Sequence, residues 1–224
     1  MITQIKQTIS SHRSLPLCLW LIFAVASSPF RGFGDWRNLL SAALLTFGLA
    51  ACAIHLRASR RFHISMASAT VILLLSILAE LALSTRVGLE TVIYLTILFI
   101  ELSILYLLIK HAFKSEPLPR ADRIASALGG YVLLAFVWTG IYILITLHQP
   151  NAFINILTNE PPTYQTLFYY SMITLTTQGY GDILPQTTLS RYCAGFEGLV
   201  GTFYIAVLVA SLINQATSKE NSST

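Results

Sequence analysis

From Ile124 to Leu147 the chain carries no charged side chain. A bilayer core about 30 Å thick is crossed by ~20 mainly apolar residues in a helix, because a helix satisfies its own backbone hydrogen bonds where no water can. The run is therefore a spanning helix, and it sets the solvent in which the rest of the chain folds. Five further apolar segments accompany it, at Ser14–Phe30, Asn38–Leu56, Ile64–Ser84, Leu89–Ile109 and Tyr192–Asn214. Only 11% of the residues are charged, against about 25% in soluble domains, so little of the chain is left for a soluble domain. The expected fold class is an all-α membrane protein with six transmembrane helices.

Lysine and arginine set the orientation. With the N-terminus inside, the inner side holds Lys6, Arg13, Arg57, Arg60, Arg61, Lys110, Lys114, Arg120, Arg123 and Lys219. The outer side holds Arg31, Arg37, Arg86 and Arg191. This excess follows the positive-inside rule and predicts both termini in the cytoplasm. Ala24-Val25-Ala26-Ser27 ends the first segment with small residues that resemble a signal-peptide cleavage site, but a retained helix is the expectation because no secreted domain follows. Because the basic residues flank apolar segments rather than form one patch, no nucleic-acid partner is expected; membrane lipids are. The cysteines Cys18, Cys52 and Cys193 lie in apolar runs as small hydrophobes. No nucleotide loop, metal-ligand spacing or Ser/His/Asp arrangement points to an enzyme or a cofactor.

Between the fifth and sixth segments the chain turns polar and aromatic. Pro161 and Pro162 precede Thr163–Thr176, a stretch too short to span. It reads as a re-entrant helix, tolerated at membrane depth only when buried in protein or lining water. Its C-terminal end would direct a partial negative charge inward, which favours a cation. Thr176-Thr177-Gln178-Gly179-Tyr180-Gly181-Asp182 follows. Glycines at Gly179 and Gly181 permit φ > 0, which successive carbonyls need in order to face one way. Four such strands around an axis can replace the hydration shell of K⁺ with carbonyl oxygens.

At these residues the chain resembles the tetrameric potassium channels. The likeness runs from Ile124 to Asn214 and covers outer helix, pore helix, selectivity filter and inner helix; the front four helices resemble six-helix prokaryotic members only loosely. The resemblance implies passive K⁺ permeation through a homotetramer in a cell membrane, of the bacterial inner-membrane type. It implies ion sites lined by the carbonyls of Thr177, Gln178, Gly179 and Tyr180 and the Thr177 hydroxyl, with Gly181 completing the outer turn. Asp182 would brace the filter against an aromatic of the pore helix, Tyr169 or Tyr170, where relatives usually have Trp. Asp182-Ile183-Leu184-Pro185 looks like an outer-mouth turn, Arg191 opens the inner helix, and Gly201 falls where the family keeps its gating hinge. Gln178 departs from the usual Val, Ile or Leu, and its amide would need a partner among Thr174, Thr176 and Glu197.

The expected organisation is a four-helix membrane part over residues 1–115, a linker at 116–123 with Pro117 and Pro119, a pore domain at 124–214 and a polar tail at 215–224. The fourth segment lacks the repeated Arg or Lys of a voltage sensor and carries Glu101 instead. Glu101 and Glu80 are intramembrane acids, read either as proton or ion sensors or as satisfied structural groups. Glu197 is read as filter support. Gly195, Gly198 and Gly201 share one helix face, which also suits close packing. A transporter using Glu80 and Glu101 is the rival reading, and a single filter strand in the chain argues against it. A weakly selective cation pore and a non-conducting subunit bound to a partner channel are also compatible with these residues.

Overall fold

The computed structural model describes residues 60–83, 87–113 and 120–220, together with Leu21 and Val25. The expected helices at Ser14–Phe30 and Asn38–Leu56 otherwise lie outside the described residues. The elements in chain order are α1 (Arg60–Leu83), α2 (Val87–Phe113), α3 (Arg120–His148), β1 (Phe153–Asn155), α4 (Tyr164–Leu175), β2 (Ile183–Pro185) and α5 (Thr188–Glu220). Four of these helices are long and apolar enough to cross a membrane, over Phe62–Ala79, Val87–Ala112, Ala121–His148 and Thr188–Ser211. The chain is a multi-pass, mostly helical membrane protein.

Helix ends follow local chemistry. Glu90 stands in the first turn of α2 and Lys110 and His111 in its last, each complementing the helix dipole. The Thr163 hydroxyl caps α4 by accepting from the Thr166 N–H at 3.4 Å. α5 begins at Thr188, three residues before Arg191, because the Thr187 hydroxyl accepts from the Ser190 N–H at 3.2 Å and caps it there. It continues past Asn214 to Glu220, since Gln215–Lys219 hold neither glycine nor proline to stop it. The expected polar tail is thus largely a continuation of the helix.

The densest packing joins α2 to α3. Ile93, Ile97, Ile100, Ile104 and Leu108 recur at helical spacing and are buried in one core with Leu133–Trp138, Tyr142, Ile143 and Ile145 of α3. The opposite face of α2 exposes Val92, Leu95, Phe99, Leu102 and Tyr106, as a lipid-facing surface does. α1 repeats the pattern, with Met66, Ala69, Leu73 and Ser76 buried and Val71, Leu74, Leu75 and Leu78 exposed. Leu21 is fully buried against this core. Lipid tails are as apolar as leucine, so close packing rather than water exclusion holds such helices together.

Ile183-Leu184-Pro185 is extended rather than a free turn. It pairs antiparallel with β1 in the register Phe153↔Pro185, Ile154↔Leu184 and Asn155↔Ile183. The Ile156 N–H reaches the Asp182 carbonyl at 2.9 Å, the Gln186 N–H reaches the Ala152 carbonyl at 2.7 Å, and the Ser190 hydroxyl donates to that same carbonyl at 2.9 Å. The loop after α3 therefore holds the segment that follows Gly181 by its backbone.

Candidate functional site

The site is the stretch Thr176–Asp182, carried on the C-terminal end of α4. Burial of Leu167, Phe168, Tyr170, Ser171, Ile173 and Leu175 seats α4 in the protein. Phe168 packs on Phe136 of α3 at 4.5 Å between ring centroids. Amides beyond the helix fold back onto its last carbonyls. The Thr177 N–H donates to Thr174 at 3.0 Å, and those of Gln178 and Gly179 converge on Ile173 at 2.8 and 3.2 Å. The Leu175 carbonyl takes its bond from the Tyr131 hydroxyl of α3 at 3.1 Å.

The backbone then alternates. Thr177, Gly179 and Gly181 have φ of 59°, 50° and 77°, while the intervening Gln178 and Tyr180 stay at negative φ. Changing hand at every second residue turns successive carbonyls toward one side, which a regular strand cannot do. A Cβ on either glycine would meet nothing within 4 Å, so conformation rather than space calls for glycine there. Thr177 is a β-branched residue in the left-handed region, a strain of about 1–3 kcal/mol that clusters at functional sites. Only its two-residue spacing from Gly179 hints at this conformation in the sequence.

Tyr169 and Tyr170 point to different places. The Tyr169 ring stacks on that of Tyr180, with centroids 6.5 Å apart and planes 12° from parallel. Partial desolvation and the nearby Asp182 carboxylate hold its phenol above the usual value. Tyr170 instead lies in an aromatic cluster with Tyr142 of α3 at 5.4 Å and Phe153 of β1 at 5.5 Å.

Glu197 of α5 is fully buried behind the site. It accepts hydrogen bonds from the Tyr142 hydroxyl of α3 and, at 2.5 Å, from the Ser171 hydroxyl of α4, tying three helices together. Its described bonds go to these two groups and not to Gln178, which is exposed on the protomer. The glycine face of α5 meets α4 end-on. A Cβ on Gly201 would overlap the Leu175 carbonyl, one on Gly198 would lie 3.8 Å from the Thr174 carbonyl, and one on Gly195 would meet nothing within 4 Å. Close approach alone is thus reason for glycine at 201. The same holds at Gly130, whose Cβ would crowd the Tyr204 hydroxyl; that hydroxyl donates to the Ala127 carbonyl at 2.6 Å. The side chain of Glu80 lies outside the described residues.

Residues 130–218 match the family model described as "Ion channel". That stretch is similar to an ion-channel domain. It takes in most of α3, the whole of α4, the alternating segment and nearly all of α5. Among curated proteins, the voltage-gated potassium channel regulatory subunit KCNF1 of Rattus norvegicus is 45% identical over 47 residues, 21% of this chain and 10% of the relative. The Homo sapiens protein of that name gives the same values. The small conductance calcium-activated potassium channel-like protein 3 of Caenorhabditis elegans is 40% identical over 47 residues, 21% of this chain and 7% of the relative. The chain spans a tenth or less of the length of these relatives. No solved structure matches it. These likenesses support a potassium-channel family.

Proposed function

We propose that the chain is the subunit of a potassium-selective channel that passes K⁺ passively across a cell membrane through a homotetrameric pore. The observation that carries this reading is the alternation of hand at Thr177, Gly179 and Gly181 at the C-terminal end of a short buried helix. In the proposed assembly the carbonyls of Thr177, Gln178, Gly179 and Tyr180, with the Thr177 hydroxyl, line the ion sites, and conduction is multi-ion knock-on between them. One strand cannot surround an ion, so four copies are needed. The large apolar side chains that α5 exposes on the protomer, among them Tyr192, Phe196, Leu199 and Phe203, are then available to neighbouring subunits. Tyr169, Asp182 and Glu197 hold the filter, Tyr170 packs behind them, and Gly201 serves as the hinge as well as the close contact. α4 is the re-entrant pore helix of a six-helix, prokaryotic-type subunit with both termini in the cytoplasm.

A second reading has its own support. Two of the relatives are by name regulatory subunits, and Gln178 stands where an apolar side chain is usual. On that reading the chain contributes one strand to a mixed pore and is silent alone. Flux from liposomes holding only the purified protein separates the two. K⁺ efflux that is abolished by Gly179→Ala supports the homotetrameric pore. Efflux unchanged by Gly179→Ala overturns the filter assignment, because four added methyl groups and the lost φ freedom leave no such backbone.

A further inference from the structure

Glu101 sits midway along α2, 3% exposed, against the centre of α3. A Cβ on Gly140 of α3 would lie in ordinary contact with it, 3.8 Å from its Oε2 and an equal distance from Leu98, so the carboxyl lies against α3 at that point. Oε2 is buried and has no hydrogen-bond partner among the described residues. The described surroundings offer no counter-charge. On α2 itself Glu90 is about 17 Å away along the helix, and Lys110 and His111 about 14–15 Å the other way. On α3 the charged and titratable groups Arg120, Asp122, Arg123 and His148 stand at its two ends, and Tyr131 and Tyr142 are committed to Leu175 and Glu197. On α1, Arg60, Arg61 and His63 are at the end that starts the helix and Glu80 is near the other end. An ionised carboxylate in such a place is an uncompensated buried charge costing several kcal/mol, and a proton removes it.

We propose that Glu101 is a proton-binding site in the α2–α3 interface, occupied while the two helices are packed and emptied only when they part enough to admit water or a cation. The ligand is the proton. The site lies two residues along α3 from Tyr142, which bonds Glu197, and the same helix bonds Leu175 through Tyr131. Parting of α2 from α3 therefore moves the helix that holds α4 in place. The effect on current rests on the channel reading above; the proton site itself does not.

The test uses the full-length protein in liposomes and dicyclohexylcarbodiimide, a hydrophobic reagent that adds to protonated carboxyls, with peptide mass mapping from about pH 5 to about pH 9. The peptide holding residue 101 should be labelled at the acid end, with the labelled fraction falling about tenfold per pH unit above its midpoint. Glu101→Gln should lose that label and no other. No label at residue 101 at the acid end, or equal labelling across the range, overturns the proposal. K⁺ flux should change with pH over the same range in the wild type and be flat in Glu101→Gln; a wild-type profile kept by Glu101→Gln overturns the coupling. A protein that passes no ion while its Glu101 label still titrates supports the proton site and sinks the conduction reading instead.

Discussion

The carboxylate of Glu197 on α5 lies 2.5 Å from the hydroxyl of Ser171 on α4. With the Tyr142 hydroxyl of α3 on its other oxygen, one acid joins the three helices that surround the candidate filter. Removing it leaves the buried Tyr142 hydroxyl without its acceptor, at about 1–3 kcal/mol, while Ser171 keeps the Ala135 carbonyl at 3.0 Å. Glu197→Ala should therefore lower the melting temperature in detergent distinctly, and Glu197→Gln, which keeps one acceptor oxygen, should lower it less. Equal melting of wild type and Glu197→Ala would contradict the node.

Gly201 and Gly195 stand on the same helix and predict opposite outcomes. Gly201→Ala drives a methyl group into the Leu175 carbonyl, so α4 and α5 must separate at a cost of about 1–3 kcal/mol. Gly195→Ala meets nothing within the protomer and gains helix propensity of about 1 kcal/mol. Size-exclusion profiles of expressed protein should show folded material for Gly195→Ala and a marked loss for Gly201→Ala. A normal profile for Gly201→Ala would show that the contact can relax.

Tyr169→Phe keeps the stack on Tyr180 and removes the hydroxyl that neighbours the Asp182 carboxylate. The change falls at the outer end of the proposed filter, once in each subunit of the proposed assembly. Current through the variant should decay faster under sustained recording while the melting temperature changes little. Decay at the wild-type rate would remove Tyr169 from filter support.

Gln178→Val restores the apolar side chain usual at this position. If the amide loosens the packing behind the filter, the K⁺ over Na⁺ permeability ratio should rise in bi-ionic recordings. An unchanged ratio would show that the exposed position of Gln178 on the protomer is accommodated between subunits without cost to selectivity.

The helices around the site can be read from the chain because length and apolarity alone define a spanning helix, as Ile124–Leu147 inside α3 illustrates. Gly179 and Gly181 are readable for a local reason, since glycine is the residue type that admits their positive φ. Thr177 is not: a β-branched residue at positive φ runs against its own preference, and only the surrounding fold imposes it. The partners of Glu197 are also hidden. Tyr142 and Ser171 lie 55 and 26 residues away, and nothing local marks them as hydrogen-bond donors to that acid. The β1–β2 pairing leaves no trace in the sequence because three-residue strands carry too little periodicity to register. For the choice between Tyr169 and Tyr170, adjacency in sequence hides different directions on the helix, about 100° apart per residue.

In the proposed channel this backbone, repeated four times, passes K⁺ and excludes Na⁺. The most direct measurement is the reversal potential of the purified protein in a planar bilayer with K⁺ on one side and Na⁺ on the other. A potential close to the K⁺ equilibrium value, lost in Gly179→Ala, is the predicted result. A clear current reversing near zero would contradict it.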